Sequence, residues 1–185
     1  QVFLLAIVAA LTLSPLEGLF PAYRQNVFLR KGFFLDLWFW FLTPLLTRLI
    51  TGIVLGVLLF ALQHLSGNEL SPAASLMTGF GPVSRQPAWL QCLEVLLVAD
   101  FVDYWTHRGF HLGPFWKIHA IHHSADEMSW LSSSRVHPLN DLVTRAFQII
   151  PIMVFGLSSV AVLNVIPYLS FYVMFLHSNI RWAFG

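Results

Sequence analysis

Charged residues are scarce in this chain. Lys, Arg, Asp and Glu make up only 10% of its 185 residues, the formal net charge is +1, and the basic residues form no run. This absence of concentrated positive charge argues against a nucleic-acid partner. Hydrophobic residues make up 57% of the chain, and the mean hydropathy is +0.70. Because soluble domains are far less apolar, the composition predicts an integral membrane protein.

Cysteine and nucleotide-binding glycine motifs are also lacking. Cys92 is the single cysteine, so no internal disulfide is possible, and its apolar segment is typical of a small buried side chain. The sequence contains no G-x-G-x-x-G fingerprint of flavin and nicotinamide sites. It also lacks H-E-x-x-H, whose glutamate is the general base of many zinc hydrolases. These absences argue against a nucleotide cofactor and against a zinc hydrolase.

Histidine, in contrast, is concentrated in one segment, HRGFHLGPFWKIHAIHH, which holds five of the eight histidines. They form two boxes: His107 and His111, then His119, His122 and His123. On helices, spacings of three and four residues project side chains from one face. Gly113 and Pro114, between the boxes, predict a turn that aims both boxes at a common centre.

The two boxes favour a metal site with more than one ion. Neutral imidazole is a good ligand for iron, zinc and copper, whereas crowded unliganded histidines repel one another on protonation. Five candidate ligands exceed the three protein ligands that catalytic zinc takes besides water. The spacing therefore predicts a two-metal centre.

Other residues are candidates for the same centre. His177 is predicted to be a ligand delivered by the last helix, with anchoring of that helix at the interface as the alternative. His137, in RVHP, is interpreted either as a ligand or outer partner of the metal or as a loop histidine. Asp100 and Asp103 continue the helical stripe of the first box, where each could accept the free N–H of a ligating imidazole. Pairing with Arg48 or another polar group of the bundle is the alternative for both carboxylates.

Two further groups of polar residues receive weaker assignments. His64 lies at the opposite end of its predicted helix and is interpreted as structural. A polar loop follows the second box, and some of its residues are predicted to line a substrate entrance or to contact an electron donor, with a solvated loop as the alternative. These residues are Ser124, Trp130, Arg135 and Asn140.

Apolar segments of about 20 residues predict membrane-crossing helices. The predicted segments are Leu45 to Gln63, with Thr43 and Pro44 as N-cap and first residue, Trp89 to about Thr106, and a hairpin of Leu139 to Phe155 and Ser159 to His177. The aromatic run Phe33 to Phe41 is predicted to lie along the interface. Asn140 and Asp141 are predicted to cap a helix that begins at Leu142. We expect an all-α integral membrane helical bundle, a single domain over residues 1–185 that is incomplete at both ends.

The basic residues predict how this bundle is oriented. With these crossings, most of them fall on one side of the membrane, and the opposite loops carry only Arg85. The richer side holds Arg24, Arg30, Lys31, Arg108, Lys117, Arg135 and Arg181. Because cytosolic loops carry an excess of Lys and Arg, this side is predicted to be cytosolic. The same arrangement brings both boxes, His137 and His177 to that face.

Four segments resemble the fatty acid hydroxylase superfamily, in its sterol desaturase branch of membrane oxygenases. They are DYWTHRGFH from Asp103 to His111, FWKIHAIHHS from Phe115 to Ser124, RVHP from Arg135 to Pro138, and HSNIRWAFG from His177. The second of these is highly specific, the first moderately so, and the other two are weak alone. The resemblance extends over most of the chain.

The resemblance implies a non-haem centre of two iron ions that uses O2 and two electrons to hydroxylate or desaturate a lipid, of the sterol or fatty acyl class. It assigns the iron ligands to both boxes and to His177. The family also has an H-x-x-H-H box shortly after the glycine matched by Gly185, beyond the end of this sequence, so the chain by itself is expected to lack about three ligands. Because no flavin or nicotinamide fingerprint is present, electrons are expected from a small haem or iron–sulfur carrier fed by NAD(P)H.

Two non-enzymatic functions are alternatives. A metal transporter or metal store would also use histidine ligands, although transport favours ligands at mid-membrane on broken helices, and these histidines cluster at one face. A haem-binding electron carrier needs only two axial histidines, which leaves the doublet His122 and His123 unexplained.

Overall fold

The computed structural model describes residues 2–26, 28–65, 77–79 and 81–181, and within them the regular structure is helical. The helices are α1 (Val2–Leu19), α2 (Phe33–Leu65), α3 (Ala88–Phe110), α4 (Trp116–His119), α5 (Pro138–Phe155) and α6 (Ser159–His177). Three short 3-10 turns accompany them, at Val83–Arg85, Gly113–Phe115 and Trp130–Ser134. The all-α prediction is confirmed for the described residues.

One apolar core joins the N-terminal helices to the end of α6. The turn Trp130–Ser134, called the Trp130 turn below, packs against α2 and α6, and α1 packs against both the turn and α6. The rings of Trp40 and Trp130 meet edge to face with centroids 6.0 Å apart, a favourable aromatic arrangement. Leu13 of α1 and Met174 of α6 complete this buried cluster. The core thus fixes the last turn of α6, which carries His177.

A second core holds α3 against the hairpin of α5 and α6. Val95 of α3 packs against Leu157 and Val165 at and beyond the hairpin turn. Gly156 adopts φ +74°, a conformation that favours glycine, and so ends α5. Ser158 then caps α6, since its side chain accepts a hydrogen bond from Ala161 N at 3.2 Å. The predicted hairpin is confirmed, with α5 beginning one residue earlier than expected.

The start of α2 differs from the prediction. The aromatic run 33–41 and the apolar run 45–63 form one continuous helix, so the expected start at Pro44 is wrong and Pro44 lies inside α2. Thr43 does not cap a helix; its Oγ1 donates to Val136 O at 2.9 Å. Trp40 is buried against Trp130, whereas Phe34 and Trp38 of the same run are exposed. The interfacial location of this run remains a prediction.

Among the described residues, two helical segments are long and apolar enough to cross a membrane, Phe33–Ile53 and Ser159–His177, and Leu4–Leu19 is a shorter apolar helix. The predicted crossing from Trp89 to Thr106 is helical, as part of α3, but is not one of these two segments. It carries Glu94, Asp100 and Asp103, which lower its hydropathy. The crossing by α3, the number of crossings and the cytosolic orientation of the boxes remain predictions.

Candidate metal centre

The first histidine box lies at the C-terminal end of α3. His107 is in the last turn of the helix, and His111 directly follows it. Their Nε2 atoms are 3.2 Å apart, as the i, i+4 spacing predicted. Gly113, with φ +53°, and Pro114 then form the 3-10 turn that leads the chain into α4. The turn predicted between the boxes is therefore present.

The second box is helical only at its beginning. His119 ends the one-turn helix α4, and His122 and His123 follow in a tight turn in which His122 N donates to His119 O at 2.8 Å. The expectation that the whole box lies on a helix is wrong. The turn still places His119 Nε2 and His123 Nε2 only 3.1 Å apart. The same turn directs the side chain of His122 away from that of His123, and their ring planes lie at 82° to each other.

Four of the imidazoles form a compact cluster. One ring nitrogen from each lies within 4.8 Å of the others: His107, His111, His119 and His123. His119 is the innermost, only 2% exposed, whereas His111 and His123 are exposed. The cluster is therefore buried on one side and accessible on the other.

His122 and His177 form a second group beside this cluster. Their Nε2 atoms are 3.0 Å apart although 55 residues separate them in sequence. His177 is the last residue of α6, and its Nδ1 lies 2.8 Å from Val173 O. The rings of His107 and His122 have centroids 5.8 Å apart, so the two groups adjoin. His122 Nδ1 is buried and has no hydrogen-bond partner among the described residues.

The second box is electrically neutral at physiological pH. Burial, and then the neighbouring His177 and His119 rings, lower the pKa of His122 from 6.5 to about 3. Burial is also the main cause that lowers the pKa of His119 and of His123. Neutral imidazole keeps a lone pair on one ring nitrogen, which is the form that binds metal.

The arrangement of ring nitrogens fits metal cations. Three Nε2–Nε2 contacts of 3.0–3.2 Å occur in the two groups. Each close pair of neutral imidazoles without a metal needs one Nε2–H directed at the other lone pair. A cation bound between the rings would instead accept the lone pairs of all of them, and imidazole suits iron, zinc and copper. The group of four histidines could therefore hold a metal ion.

The remaining candidates lie outside these groups. His137 Nδ1 accepts a hydrogen bond from Leu139 N at 3.1 Å and so caps α5. Asp100 and Asp103 are exposed on α3. Asp103 is near enough to His177 to interact electrostatically, but within the described residues neither carboxylate accepts a hydrogen bond from an imidazole. The structure does not show the outer role expected of them.

An amide that the prediction placed elsewhere contacts the centre instead. Asn140 Oδ1 lies 2.8 Å from His119 Nδ1, whereas the sequence suggested a helix cap or a substrate entrance for this residue. The helix begins at Pro138, at the first position where proline's missing N–H costs nothing. Asp141 forms an ion pair with Arg145 at 2.8 Å. The expected cap and start at Leu142 are therefore wrong.

Two of the other residues predicted to line an entrance, Arg135 and Trp130, are buried, whereas Ser124 is exposed. Arg135 is 4% exposed; its Nε donates to Asp36 Oδ1 at 2.6 Å and its Nη1 to Ser124 O at 2.9 Å. Trp130 Nε1 donates to Ser14 Oγ at 2.9 Å. The buried carboxylate of Asp36 requires a charged partner, which draws Arg135 inward. These contacts hold the loop that follows the second box, and the entrance assignment is wrong for Arg135 and Trp130.

Comparison with known proteins gives one family and one relative. The fatty acid hydroxylase family model matches residues 92–185, about half of the chain, including both histidine boxes and His177. The chain is also similar to ornithine lipid hydroxylase OlsE of Rhizobium tropici, with 28% identity over 115 residues, 62% of this chain and 34% of that protein. The chain thus spans about a third of the length of this curated relative. No solved structure matches it.

Proposed function

Because the chain belongs to the fatty acid hydroxylase family, we propose that it forms the metal-binding part of a membrane oxidoreductase that hydroxylates or desaturates a lipid with O2. The observation that carries the proposal is the convergence of six histidines from three separate elements. These are His107 and His111 of the α3 end, His119, His122 and His123 of the following turn, and His177 of α6. The motif resemblance described above supports placing the chain in the sterol desaturase branch.

In this proposal the centre holds two non-haem iron ions. His107, His111, His119 and His123 would hold one, and His122 and His177 would belong to the other. Two ligands are few for the second ion, which is consistent with further ligands elsewhere in the protein. Bound iron would activate O2, with electrons from an external donor, for attack on an unactivated C–H bond. Imidazole donors suit iron as well as zinc and copper, and the family resemblance favours iron among them.

The protein side chains supply position and surroundings. Trp116 lies beside two ligands, with ring centroids 5.4 Å from His111 and 5.5 Å from His123. Phe110 stacks on His119 at 5.5 Å. The buried ring of Phe110 limits access of water to the His119 side of the centre, and both aromatic contacts restrict the orientation of the ligand rings. The exposed edges of His111 and His123 leave the other side open to a substrate.

The substrate proposed is a lipid of the sterol or fatty acyl class. α6 is apolar enough to cross a membrane and ends at His177, so an acyl chain in the bilayer could reach the centre along this helix. The similar protein from Rhizobium tropici is named for an ornithine lipid, so an acyl chain of a polar membrane lipid is the first substrate to test.

The reducing electrons are proposed to come from a partner, a small haem or iron–sulfur protein fed by NAD(P)H, because the sequence lacks a nucleotide-binding fingerprint. The excess of Lys and Arg on one predicted side supports a multi-pass arrangement with the histidines facing the cytosol. A carrier in the cytosol or on that face of the membrane would then reach the centre.

Metal content and oxygen consumption test the proposal together. The purified full-length protein in detergent or nanodiscs should bind about two iron ions per chain and consume O2 only when both reductant and lipid are present. His107→Ala should abolish the consumption. His64→Ala is the matched control, since His64 stacks on Phe60 of α2 away from the centre and should leave both readouts unchanged. Iron binding without any lipid-dependent oxygen consumption would favour a metal store or transporter instead.

A further inference from the structure

The amide of Asn140 contacts the most deeply buried imidazole of the centre. Asn140 Oδ1 and His119 Nδ1 are 2.8 Å apart, and the two residues are 8% and 2% exposed. They belong to different elements, the first turn of α5 and the end of α4. We infer that Asn140 is a positioning residue that sets which ring nitrogen His119 offers to a metal. The inference rests on the metal centre proposed above.

The chemistry of the contact selects one tautomer. A neutral imidazole carries one N–H and one lone pair, and an amide oxygen can only accept. With Oδ1 facing it, Nδ1 must therefore carry the hydrogen, which leaves the lone pair of His119 on Nε2. That atom faces the cluster, 3.1 Å from His123 Nε2. With the amide reversed, its NH2 group would require the lone pair on Nδ1 and would put a hydrogen on Nε2, where the metal would bind.

Of the contacts of His119, the hydrogen bond to Asn140 is the one that distinguishes the two flipped positions of its imidazole ring. The ring of Phe110 stacks on His119 with centroids 5.5 Å apart and planes only 15° from parallel, so the plane of the imidazole is set by packing. Stacking does not distinguish the two flipped positions of the ring, because a flip presents the opposite face, which stacks on Phe110 equally well. The hydrogen bond to Asn140 does, since a flipped ring would leave the amide without a partner at a cost of about 1–3 kcal/mol.

Two contacts hold the backbone immediately before Asn140. His137 Nδ1 accepts from Leu139 N at 3.1 Å, which fixes the first turn of α5. Thr43 Oγ1 of α2 donates to Val136 O at 2.9 Å and anchors the preceding backbone. The amide therefore reaches His119 from a fixed support, as residues that orient metal ligands must.

Three variants test whether Asn140 orients His119 through its amide oxygen or only packs against it. Asn140→Leu keeps the approximate size and removes the acceptor, Asn140→Asp keeps an acceptor oxygen, and Asn164→Leu is the control on an exposed position of α6. In titrations with ferrous iron alone, Asn140→Leu should bind about 10–100-fold more weakly than wild type. Asn140→Asp should retain most of the affinity, and Asn164→Leu all of it. Equal affinity of wild type and Asn140→Leu would overturn the inference.

The tautomer can also be measured without metal. Nitrogen-15 NMR of the histidine rings in the metal-free wild type should show His119 with hydrogen on Nδ1, and Asn140→Leu should show a mixture. This test does not need the leucine variant to fold, since hydrogen on Nε2 of wild-type His119 would be enough to reject the inference. If His119 has the expected tautomer but the wild type binds no iron, the proposed metal centre fails and the assignment of Asn140 as the group that orients His119 stands.

Discussion

Asp36 and Arg135 form a buried ion pair, Oδ1 to Nε at 2.6 Å, across 99 residues of sequence. Asp36 also pairs with Arg30, and its side chain is 0% exposed. Arg135 continues the connection, because its Nη1 donates to the carbonyl of Ser124, the residue directly after His123. A carboxylate on α2, outside the part of the chain matched by the family model, thereby holds the end of the second histidine box.

Replacing Asp36 by Asn should strongly destabilise the protein. The change leaves the guanidinium groups of Arg30 and Arg135 buried without their counter-ion, and removing one partner of a buried pair costs about 3–5 kcal/mol. The free energy of unfolding, measured in detergent with a chemical denaturant, should fall by about this amount. Iron affinity should fall with it, because the loop after His123 loses its support.

Asp141→Asn is the matched control for this experiment. It removes the same charge from an ion pair whose side chains are 20% exposed for Asp141 and 41% exposed for Arg145. Such pairs contribute about 0–1 kcal/mol, so little change in stability is expected. If both Asp variants lost equal stability, the buried pair would have no special role.

Local spacing predicted the first box, and tertiary packing decided the rest of the centre. The i, i+4 contact between His107 and His111 follows from helix geometry alone. The hairpin of α5 and α6 follows from two apolar segments separated by a short turn. The pairing of His122 with His177 depends on how α6 returns to the second box, which no local pattern encodes. The contact of Asn140 was missed for the same reason. By sequence its amide is a candidate helix cap, whereas in the structure it contacts His119, 21 residues away.

The start of α2 was missed because proline was interpreted by its usual position. Proline is common at the first residue of a helix. The aromatic run before Pro44 is nevertheless helical too, and there Trp40 makes a buried contact with Trp130. In the same way, the polar loop after the second box was interpreted as a substrate entrance or electron-donor contact, or as a solvated loop. Asp36, distant in sequence, turns Arg135 inward, and a single sequence gives no sign of that partner.

The two histidine groups predict different effects on metal content. His122→Ala should reduce bound iron from about two ions per chain to about one, because it removes one of the His122–His177 pair and leaves the four-histidine cluster complete. His119→Ala should lose more, since His119 is the buried centre of that cluster. Metal analysis of the purified variants measures both. Equal loss in the two variants would mean that the histidines act as a single group.

Acid should destabilise the metal-free protein over a defined range of pH. The pKa of His122 is lowered from 6.5 to about 3, and burial lowers the pKa of His119 and His123 as well. Below pH 6.5 the unfolded chain takes up protons that the folded protein does not, so the free energy of unfolding should decrease as pH falls from 6.5. The range from pH 6.5 to about 5 is the informative one, because Asp and Glu titrate mainly below it.

Unfolding of the metal-free protein at several pH values measures this dependence. A variant with His119, His122 and His123 replaced by Gln should show a flatter dependence above pH 5, whereas His64→Gln should match wild type. An unchanged slope in the triple variant would assign the effect to other groups.

Glu17 should matter for the centre although it lies far from the histidines in sequence. Its Oε1 accepts from Trp130 N at 2.7 Å and from Asn179 N at 3.0 Å, and the residue is 2% exposed. Because Asn179 follows His177 by two residues, this carboxylate fixes the backbone at the end of α6. Glu17→Leu leaves two buried N–H groups unpaired, at a cost of about 1–3 kcal/mol each.

We therefore expect Glu17→Leu to lower both the stability and the iron bound by the His122–His177 pair. Glu17→Gln keeps an acceptor oxygen and should recover most of the bound iron. Metal analysis at a temperature where both variants remain folded separates this effect from unfolding. Glu17 contacts backbone rather than a metal ligand. Recovery of iron binding in Glu17→Gln alone would mean that the hydrogen-bond acceptor is what matters. An equal fall in iron binding in the Gln and Leu variants would mean that the negative charge matters instead.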